Sequence, residues 1–118
     1  MEKGLYFYRG KVVYVYDGDT ITVDIDLGLK VFVHGEKIRL SRINTPEIRG
    51  EERPEGLKAR DYLRKIIMNK SIFIETIKDK KGKYGRYLGE IFLPDKSGKL
   101  INVNDLLVEN GFAEYREY

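Results

Sequence analysis

Hydrophobic and polar residues alternate with a period of two along much of the chain. The alternation is strictest over residues 20–27, where Thr and Asp positions interleave with Ile, Val and Leu positions. This pattern predicts a β-strand with one buried face and one face in water. Residues 9–16, rich in Val and Tyr, predict a preceding strand, and the Asp17-Gly18 dipeptide between the two is typical of a tight hairpin turn.

A third strand is predicted over residues 29–43. Its pattern is interrupted at residues 34–36, His-Gly-Glu, where we expect a bulge or a short loop. Because Pro46 has no amide hydrogen and pushes its neighbour into an extended conformation, the strand must end by Thr45. The polar segment 48–53, which contains a glycine, predicts a mobile loop.

The hydrophobic period changes to that of a helix after Pro54. Pro54 and Glu55 suit a first helical turn, because proline has a suitable fixed φ and a negative charge is favoured near the positive end of the helix dipole. We expect an amphipathic helix that packs on a sheet and ends near Met68. Its apolar stripe consists of Ala59, Tyr62, Leu63, Ile66 and Ile67.

The last third of the chain predicts a hairpin and a short helix. Residues 71–77 and 87–93 are predicted to pair around a lysine-rich turn at residues 78–83, and residues 94–99 form a second turn. Asn102 or Asn104 can cap the helix, and Gly111 can end it in the left-handed conformation. We expect residues 112–118 to form a tail that packs back at its start.

This order of elements predicts a mainly β fold with helices (α+β) in a single domain spanning residues 1–118. Five antiparallel strands with a helix after the third suit a small five-stranded barrel of the oligonucleotide-binding type (OB-fold), here with two to three α-helices. An open α+β sheet is the alternative. The number of strands does not distinguish the two.

Composition excludes several kinds of chemistry. The 118 residues include no cysteine, which rules out disulfides, thiolate zinc sites and cysteine nucleophiles, and the single His34 lies in no catalytic or zinc-binding motif. The net charge of +3 and the pI near 9.0 permit nucleic-acid binding without requiring it. Residues 78–86 carry five basic side chains and one acid, so they form either a solvated turn or a rim for phosphates.

No apolar run is long enough to cross a bilayer, and the first nine residues lack the apolar core of a signal peptide. We therefore expect no membrane association. The expected location is cytoplasmic, or secreted if an export signal has been removed.

The candidate chemistry centres on residues 39–47, Arg-Leu-Ser-Arg-Ile-Asn-Thr-Pro-Glu. Arg39 supplies a guanidinium, Asn44 and Thr45 supply hard oxygen donors, and Glu47 supplies a carboxylate beyond Pro46. Such a combination suits a site that handles a metal ion and a phosphate.

Two further patches complete the pattern, Asp-Gly-Asp-Thr at residues 17–20 and Lys-Tyr-Gly-Arg at residues 83–86. In order and content the three patches resemble the staphylococcal nuclease family, and the resemblance runs from about Val12 to Ala113. Each patch alone is a weak signal, but their combination is specific. The resemblance implies a five-stranded barrel and calcium-dependent, sugar-nonspecific cleavage of DNA and RNA that leaves 3′-phosphates.

The resemblance also implies roles for individual residues. Arg39 and Arg86 match the two arginines that grip the phosphate, and Glu47 matches the carboxylate that contacts the attacking water. Asp19 and Thr45 match calcium ligands, whereas Asn44 stands where the best-known family member has a second aspartate. An amide oxygen can still bind calcium, so we expect weaker binding rather than none.

The nucleotide-binding side of the site is matched less closely. Lys83 and Tyr84 match a lysine and a tyrosine that line the nucleotide site. Tyr115 or Tyr118 matches only loosely the tyrosines that stack on bases. The expected partners are DNA and RNA, preferentially single-stranded, bound by a monomer.

Simpler interpretations compete with this one. Arg39 can be a strand residue in a surface ion pair with Glu36, and Asp24 and Asp26 can be either the wet face of their strand or substitute metal ligands. At the level of function, the alternative is a non-catalytic nucleic-acid-binding module with a metal site weakened at Asn44. A third possibility is a protein-interaction domain in which the barrel is only structural.

Overall fold

Five strands close into a barrel that carries one helix inserted between its strands. The computed structural model describes residues 6–81 and 86–116, with residues 78–81 by their backbone only. In chain order the elements are β1 (Phe7–Asp17), β2 (Thr20–Gly28), β3 (Val31–Leu40), β4 (Ile43–Asn44), α1 (Arg53–Ile67), β5 (Ser71–Lys81), β6 (Tyr87–Pro94), β7 (Leu100–Asn102), α2 (Val103–Glu109) and β8 (Glu114–Tyr115).

The strand pairings confirm the predicted five-stranded barrel. β2 pairs with both β1 and β3, and β5 pairs with both β1 and β6, all antiparallel. A parallel pairing of β3 with β6, at Ile38↔Tyr87, Arg39↔Leu88 and Leu40↔Gly89, joins the two ends. The alternative of an open sheet is therefore wrong, because this last pairing leaves no free edge among the five strands.

Alternating residues of the strands form the core inside the barrel. On β2, Ile21 and Val23 are 0% exposed while Thr22 between them is partly exposed, as the period of two predicts. The apolar stripe of α1 covers the same core through Ala59, Leu63 and Ile67. Because these side chains are removed from water together, the barrel and the helix stabilise each other.

The third strand differs from its predicted bounds. It begins at Val31 because Leu29 and Lys30 have positive φ angles of 54° and 65° and form the preceding turn. The predicted interruption at residues 34–36 is a bulge, since Val23 faces Glu36 whereas Ile25 faces Val33. The strand ends at Leu40, and residues 43–44 form the separate short strand β4.

Three features escaped the sequence pattern because they are too short to show a period. The segment 48–53 holds a 3-10 turn (Gly50–Glu52) where a mobile loop was predicted. β7 pairs with the end of β6, and β8 pairs with β4 through Ile43↔Tyr115 and Asn44↔Glu114. The strand pair β4–β8 fixes the segment that follows the third barrel strand.

The short helix α2 is capped and anchored by two asparagines. Asn102 is the cap, since its side chain accepts a hydrogen bond of 3.0 Å from the Asp105 amide. Asn104 is buried instead and binds the Ile91 amide and the Ser41 carbonyl at 3.1 and 2.9 Å. The predicted helix end is confirmed by the positive φ of 81° at Gly111.

The tail packs back as expected, with the ring of Phe112 stacked on Tyr62 at 4.5 Å between centroids. In the described part of the chain, neither helix has the length and apolar character needed to span a membrane.

Candidate active site

The turn between β1 and β2 holds a carboxylate, Asp19, that is only 7% exposed. The amide of Asp19 donates to the Oδ1 atom of Asp17 at 3.1 Å, which fixes the turn. A Cβ atom on Gly18 would lie 2.8 Å from Oγ1 of Thr45 and 2.9 Å from Cβ of Ala59. The turn therefore packs directly against the Thr45 segment and α1, and glycine is required for this close approach.

Arg39 reaches the same carboxylate from the neighbouring strand. Its position on β3 faces Thr20 in the register of β2 and β3. Its Nη1 atom lies 3.3 Å from Oδ2 of Asp19, and these two side chains are 11% and 10% exposed. Arg39 is therefore not a surface residue, because its side chain is buried against Asp19.

The same guanidinium also binds the backbone between β3 and β4 and the side chain of Asn44. Nη1 donates to the carbonyls of Leu40 and Ile43 at 2.8 and 3.2 Å, and Nη2 donates to Oδ1 of Asn44 at 3.4 Å. The guanidinium thus holds the Asn44 side chain close to Asp19.

Thr45 and Arg86 join the same cluster through hydrogen bonds. The amide of Thr45 donates to Oδ2 of Asp19 at 3.1 Å, and Thr45 is 4% exposed. Arg86 donates from Nη1 to Oγ1 of Thr20 at 3.1 Å, and the Thr20 hydroxyl in turn lies 3.4 Å from Oδ1 of Asp19. Arg39 and Thr45 therefore contact Asp19 directly, and Arg86 is linked to it through Thr20.

Asp17 adds a second carboxylate beside Asp19. Burial, reinforced by the negative charge of Asp19, raises the pKa of Asp17 to about 6. The sequence predicts only a turn at Asp17, because Asp-Gly is a common hairpin dipeptide. Two poorly solvated carboxylates next to each other repel, and a bound cation relieves that repulsion by favouring their ionised forms.

The Glu47 segment is anchored through its backbone while its side chain faces water. Its amide donates to Oε1 of Glu52 at 2.9 Å. Its carbonyl packs so closely on α1 that a Cβ atom on Gly56 would lie 2.0 Å from it. Because Glu47 is two residues from Thr45, their Cα atoms lie within about 7 Å of each other.

Tyr115 lies beside the cluster rather than within it. It faces Ile43 across the β4–β8 pair, and the residue is 56% exposed. Its hydroxyl donates to Oδ1 of Asp105 at 2.9 Å, and the guanidinium carbon of Arg42 lies 5.7 Å from the ring centre. Lys83 and Tyr84, the other two predicted nucleic-acid contacts, lie outside the residues that the structure describes.

Asp24 and Asp26 have local structural roles. Asp24 accepts from the amide of Gly35 in the bulge at 2.9 Å, and Asp26 accepts from the amide of Gly28 in the turn at 2.8 Å. Asp24 lies four residues along β2 from Thr20, which corresponds to about 13 Å of extended strand. It is therefore no substitute ligand for a metal ion at Asp19.

The donors available for a cation are all oxygen atoms. Within the described ranges, no three His, Cys, Asp or Glu side chains are gathered in a way that could hold a metal ion. The candidate set is instead the Asp19 carboxylate, the Asn44 amide oxygen and the Thr45 carbonyl, of which the first two converge on the Arg39 guanidinium. Such donors fit a hard cation of the calcium type, which also takes water and phosphate oxygens as ligands.

Further candidate residues lie on the outer face of the barrel next to Arg86. Tyr14, Tyr16, Lys37 and Arg49 line a cavity of about 500 Å³ together with Arg86. From the sequence, the two tyrosines are predicted only as strand residues. The sign in the sequence was that these two large aromatic residues occupy strand positions that face outward, where the alternating pattern predicts polar residues.

A family model described as staphylococcal nuclease homologue matches residues 37–118. The chain is 37% identical to an uncharacterised protein of Methanocaldococcus jannaschii, over 90% of this chain and 58% of that protein. It is 33% identical to an uncharacterised endonuclease of Escherichia coli O157:H7, over 93% and 63%, and 32% identical to a thermonuclease of Staphylococcus hyicus, over 92% and 59%. The chain therefore spans about three fifths of the length of these relatives.

Proposed function

Since the chain belongs to the family of staphylococcal nuclease homologues, we propose that it is a nuclease that hydrolyses phosphodiester bonds in DNA and RNA. The resemblance inferred from the three sequence patches is confirmed by that family match. The observation that carries the proposal is the linked cluster around one buried carboxylate, Asp19, which Arg39 contacts from β3 and which Arg86, just before β6, reaches through the Thr20 hydroxyl. A barrel with a purely structural role does not require two arginines to lie around one buried carboxylate.

The two arginines are proposed to bind the reacting phosphate. Negative charge builds up on the non-bridging oxygens as a phosphodiester is attacked, and planar guanidinium groups can meet these oxygens with paired hydrogen bonds. Arg39 is held in place by the carbonyls of Leu40 and Ile43. Because it is positioned before substrate arrives, little ordering is needed when phosphate binds.

Asp19, Asn44 and Thr45 are proposed to hold a calcium ion. They supply one carboxylate and two neutral oxygens, so we expect weaker calcium binding than at a site with two carboxylates. When bound, calcium supplies positive charge that stabilises the phosphate in the transition state. Asp17, whose pKa is raised first by burial and then by the charge of Asp19, places a second carboxylate beside this point.

Glu47 is proposed to orient the attacking water and accept its proton. It is exposed, and Pro46 separates it from the buried Thr45. General-base assistance of this kind contributes about a hundred- to ten-thousandfold in rate. By family analogy, the products carry a 3′-phosphate.

Cleavage of a labelled single strand, in calcium and in chelator, tests the proposal. We expect degradation of both DNA and RNA that depends on calcium and falls with rising salt, since binding is mainly to backbone phosphates. Arg86→Ala is expected to abolish most of the activity. The matched control is Lys58→Ala, which removes an exposed charge on α1. Absence of any calcium-dependent cleavage at high enzyme concentration contradicts the proposal.

The alternative function is a non-catalytic nucleic-acid-binding module on the same barrel. It is favoured by the amide at Asn44 and by the lack, in the described part of the chain, of three acidic or histidine side chains around one point. In that case single strands bind without being cleaved, and Glu47→Ala leaves their affinity unchanged.

A further inference from the structure

A cavity of about 500 Å³ on the outer face of β1, β2 and β3 continues from the Asp19 cluster. It shares two residues with that cluster, Thr20 and Arg86. A chain of nucleotides whose reacting phosphate lies at Arg86 would therefore have a neighbouring nucleotide at this cavity.

Two tyrosine rings form one wall of the cavity. Tyr14 and Tyr16 flank the buried Val15 on β1, so both side chains project from the outer face of the barrel. These two residues are 48% and 42% exposed, so two aromatic side chains lie side by side in solvent on one strand face. The exposed ring surface suits stacking by a planar, apolar group.

Both rings are held in place by arginines. The Arg64 guanidinium lies 5.4 Å from the centre of the Tyr14 ring and donates to its hydroxyl at 3.2 Å. Arg64 is itself fixed by the Val15 carbonyl at 2.9 Å. Arg49 donates to the Tyr16 hydroxyl at 3.0 Å. The rings are therefore ordered before any ligand binds, which lowers the entropy cost of stacking.

The remaining lining residues are three cations and two threonines. Lys37, Arg49 and Arg86 line the cavity, and no carboxylate does so among the described lining residues. The hydrogen bond to Tyr16 raises the pKa of Arg49, and the nearby charges of Glu47 and Asp17 raise it further by smaller amounts. Aromatic rings beside several cations are the features that bind an unpaired base and its phosphate.

We infer that this cavity is a second nucleotide subsite, in which Tyr14 and Tyr16 stack the base that adjoins the scissile phosphate and Lys37 and Arg49 bind the flanking phosphate. The inference rests on the proposed nuclease function for the position of the scissile phosphate. The ligand class is single-stranded DNA or RNA, since a base within a duplex cannot expose its face to the rings.

The experiment compares binding of octathymidylate and of an abasic octamer of the same length, measured in chelator by fluorescence anisotropy. The Tyr14→Leu/Tyr16→Leu double variant removes the rings but keeps apolar bulk. We expect it to reduce the preference for the base-bearing octamer by about tenfold, because the bases can no longer stack on aromatic rings. Phe32→Leu is the matched control, since Phe32 is an aromatic residue on β3 that is 51% exposed and lies outside the cavity. It is expected to leave the preference unchanged.

An unchanged preference in the folded double variant overturns the subsite. If the double variant does not fold, as judged by circular dichroism, Lys37→Gln/Arg49→Gln replaces it. That variant is expected to reduce the slope of log affinity against log salt by about 0.7 for each phosphate that the protein no longer neutralises, and an unchanged slope overturns the subsite. Failure of the nuclease proposal is read separately, from the absence of calcium-dependent cleavage by the unmodified protein. Loss of the base preference supports the subsite whether or not cleavage occurs.

Discussion

The Nη1 atom of Arg39 lies 3.3 Å from the Oδ2 atom of Asp19, and 11% and 10% of these side chains are exposed. Each group neutralises the other in a poorly solvated place, where an isolated charge is costly. Under the proposed function these two groups bind opposite partners, Arg39 a phosphate and Asp19 a cation. The ion pair thus keeps both charged groups in position before substrate and cation bind.

Asp19→Ala is expected to lower the free energy of unfolding by about 3 kcal/mol, because it removes the carboxylate that neutralises the buried Arg39 charge. It also removes the acceptor of the Thr45 amide. Urea unfolding of the variant measures the effect. Asp61→Ala is the control, since the Asp61 side chain in its ion pair with Arg60 is 63% exposed and contributes little. If Asp19→Ala and Asp61→Ala lower the free energy of unfolding equally, burial does not explain the stability contributed by the Arg39–Asp19 pair.

Asn44→Asp is expected to raise calcium affinity by about tenfold, because a second carboxylate increases the negative charge among the donor oxygens. Isothermal titration calorimetry with calcium gives the affinity directly. Asn110→Asp adds the same charge at the exposed end of α2 and is expected to leave the affinity unchanged. An affinity that does not change in Asn44→Asp shows that Asn44 is no ligand.

Glu47→Gln is expected to lower the cleavage rate by about a hundredfold or more at saturating substrate, because the amide cannot accept a proton from water. Binding of single strands is expected to change little. Single-turnover cleavage of a labelled oligonucleotide separates the two quantities. Glu51→Gln, in the same segment and exposed, is the matched control. A normal rate in Glu47→Gln removes this residue from the proposed mechanism.

Glu90 gives a prediction for stability against pH. Burial raises the pKa of Glu90, but hydrogen bonds from Arg42, Asn102 and Ser41 outweigh burial and leave the pKa below its ordinary value of 4.5. Arg42 binds both carboxylate oxygens, at 2.9 and 2.6 Å. A group with a lowered folded pKa stabilises the protein above its unfolded pKa, and this contribution is lost as pH falls through the folded pKa.

Glu90→Gln is therefore expected to lower the free energy of unfolding by about 1–2 kcal/mol at pH 7, since Arg42 is partly exposed and the pair partly screened. The difference from the unmodified protein is expected to shrink below pH 4.5. Urea unfolding between pH 7 and pH 3 measures it. Glu109→Gln, at the exposed end of α2, is the control. A difference that stays constant over this range contradicts the assigned charge–charge interaction.

The local elements were largely predictable because they depend on residues close in sequence. The alternation of Ile21, Thr22 and Val23 gave both the strand β2 and its buried face. The cap at Asn102 and the helix end at Gly111 follow from hydrogen-bonding and φ preferences of single residues. Elements of two or three residues, such as β4 and β8, were missed because they contain too few positions to show a period.

From the sequence, the residues of the candidate site could be identified only by their motifs, without their positions in space. Arg39, Glu47 and Arg86 were identified from their order along the chain, but sequence order contains no distances. The burial of Asp17 beside Asp19 and the cavity walls at Tyr14 and Tyr16 were not foreseen. Both depend on which segments pack together, and in particular on Gly18 meeting Thr45.

The sequence by itself determined which residues form most strands and helices and which faces of them are apolar. It also determined which side chains are chemically suited to bind a phosphate and a cation. These properties depend on single residues and their near neighbours in the chain. Only the tertiary structure decided that β3 pairs with β6 and closes the barrel, and that Arg39, Thr45 and Arg86 meet at Asp19. Those contacts join residues that are 20 to 66 positions apart in the chain. They form because the apolar faces of distant strands must be buried together, and that requirement acts on the whole molecule rather than on any one segment.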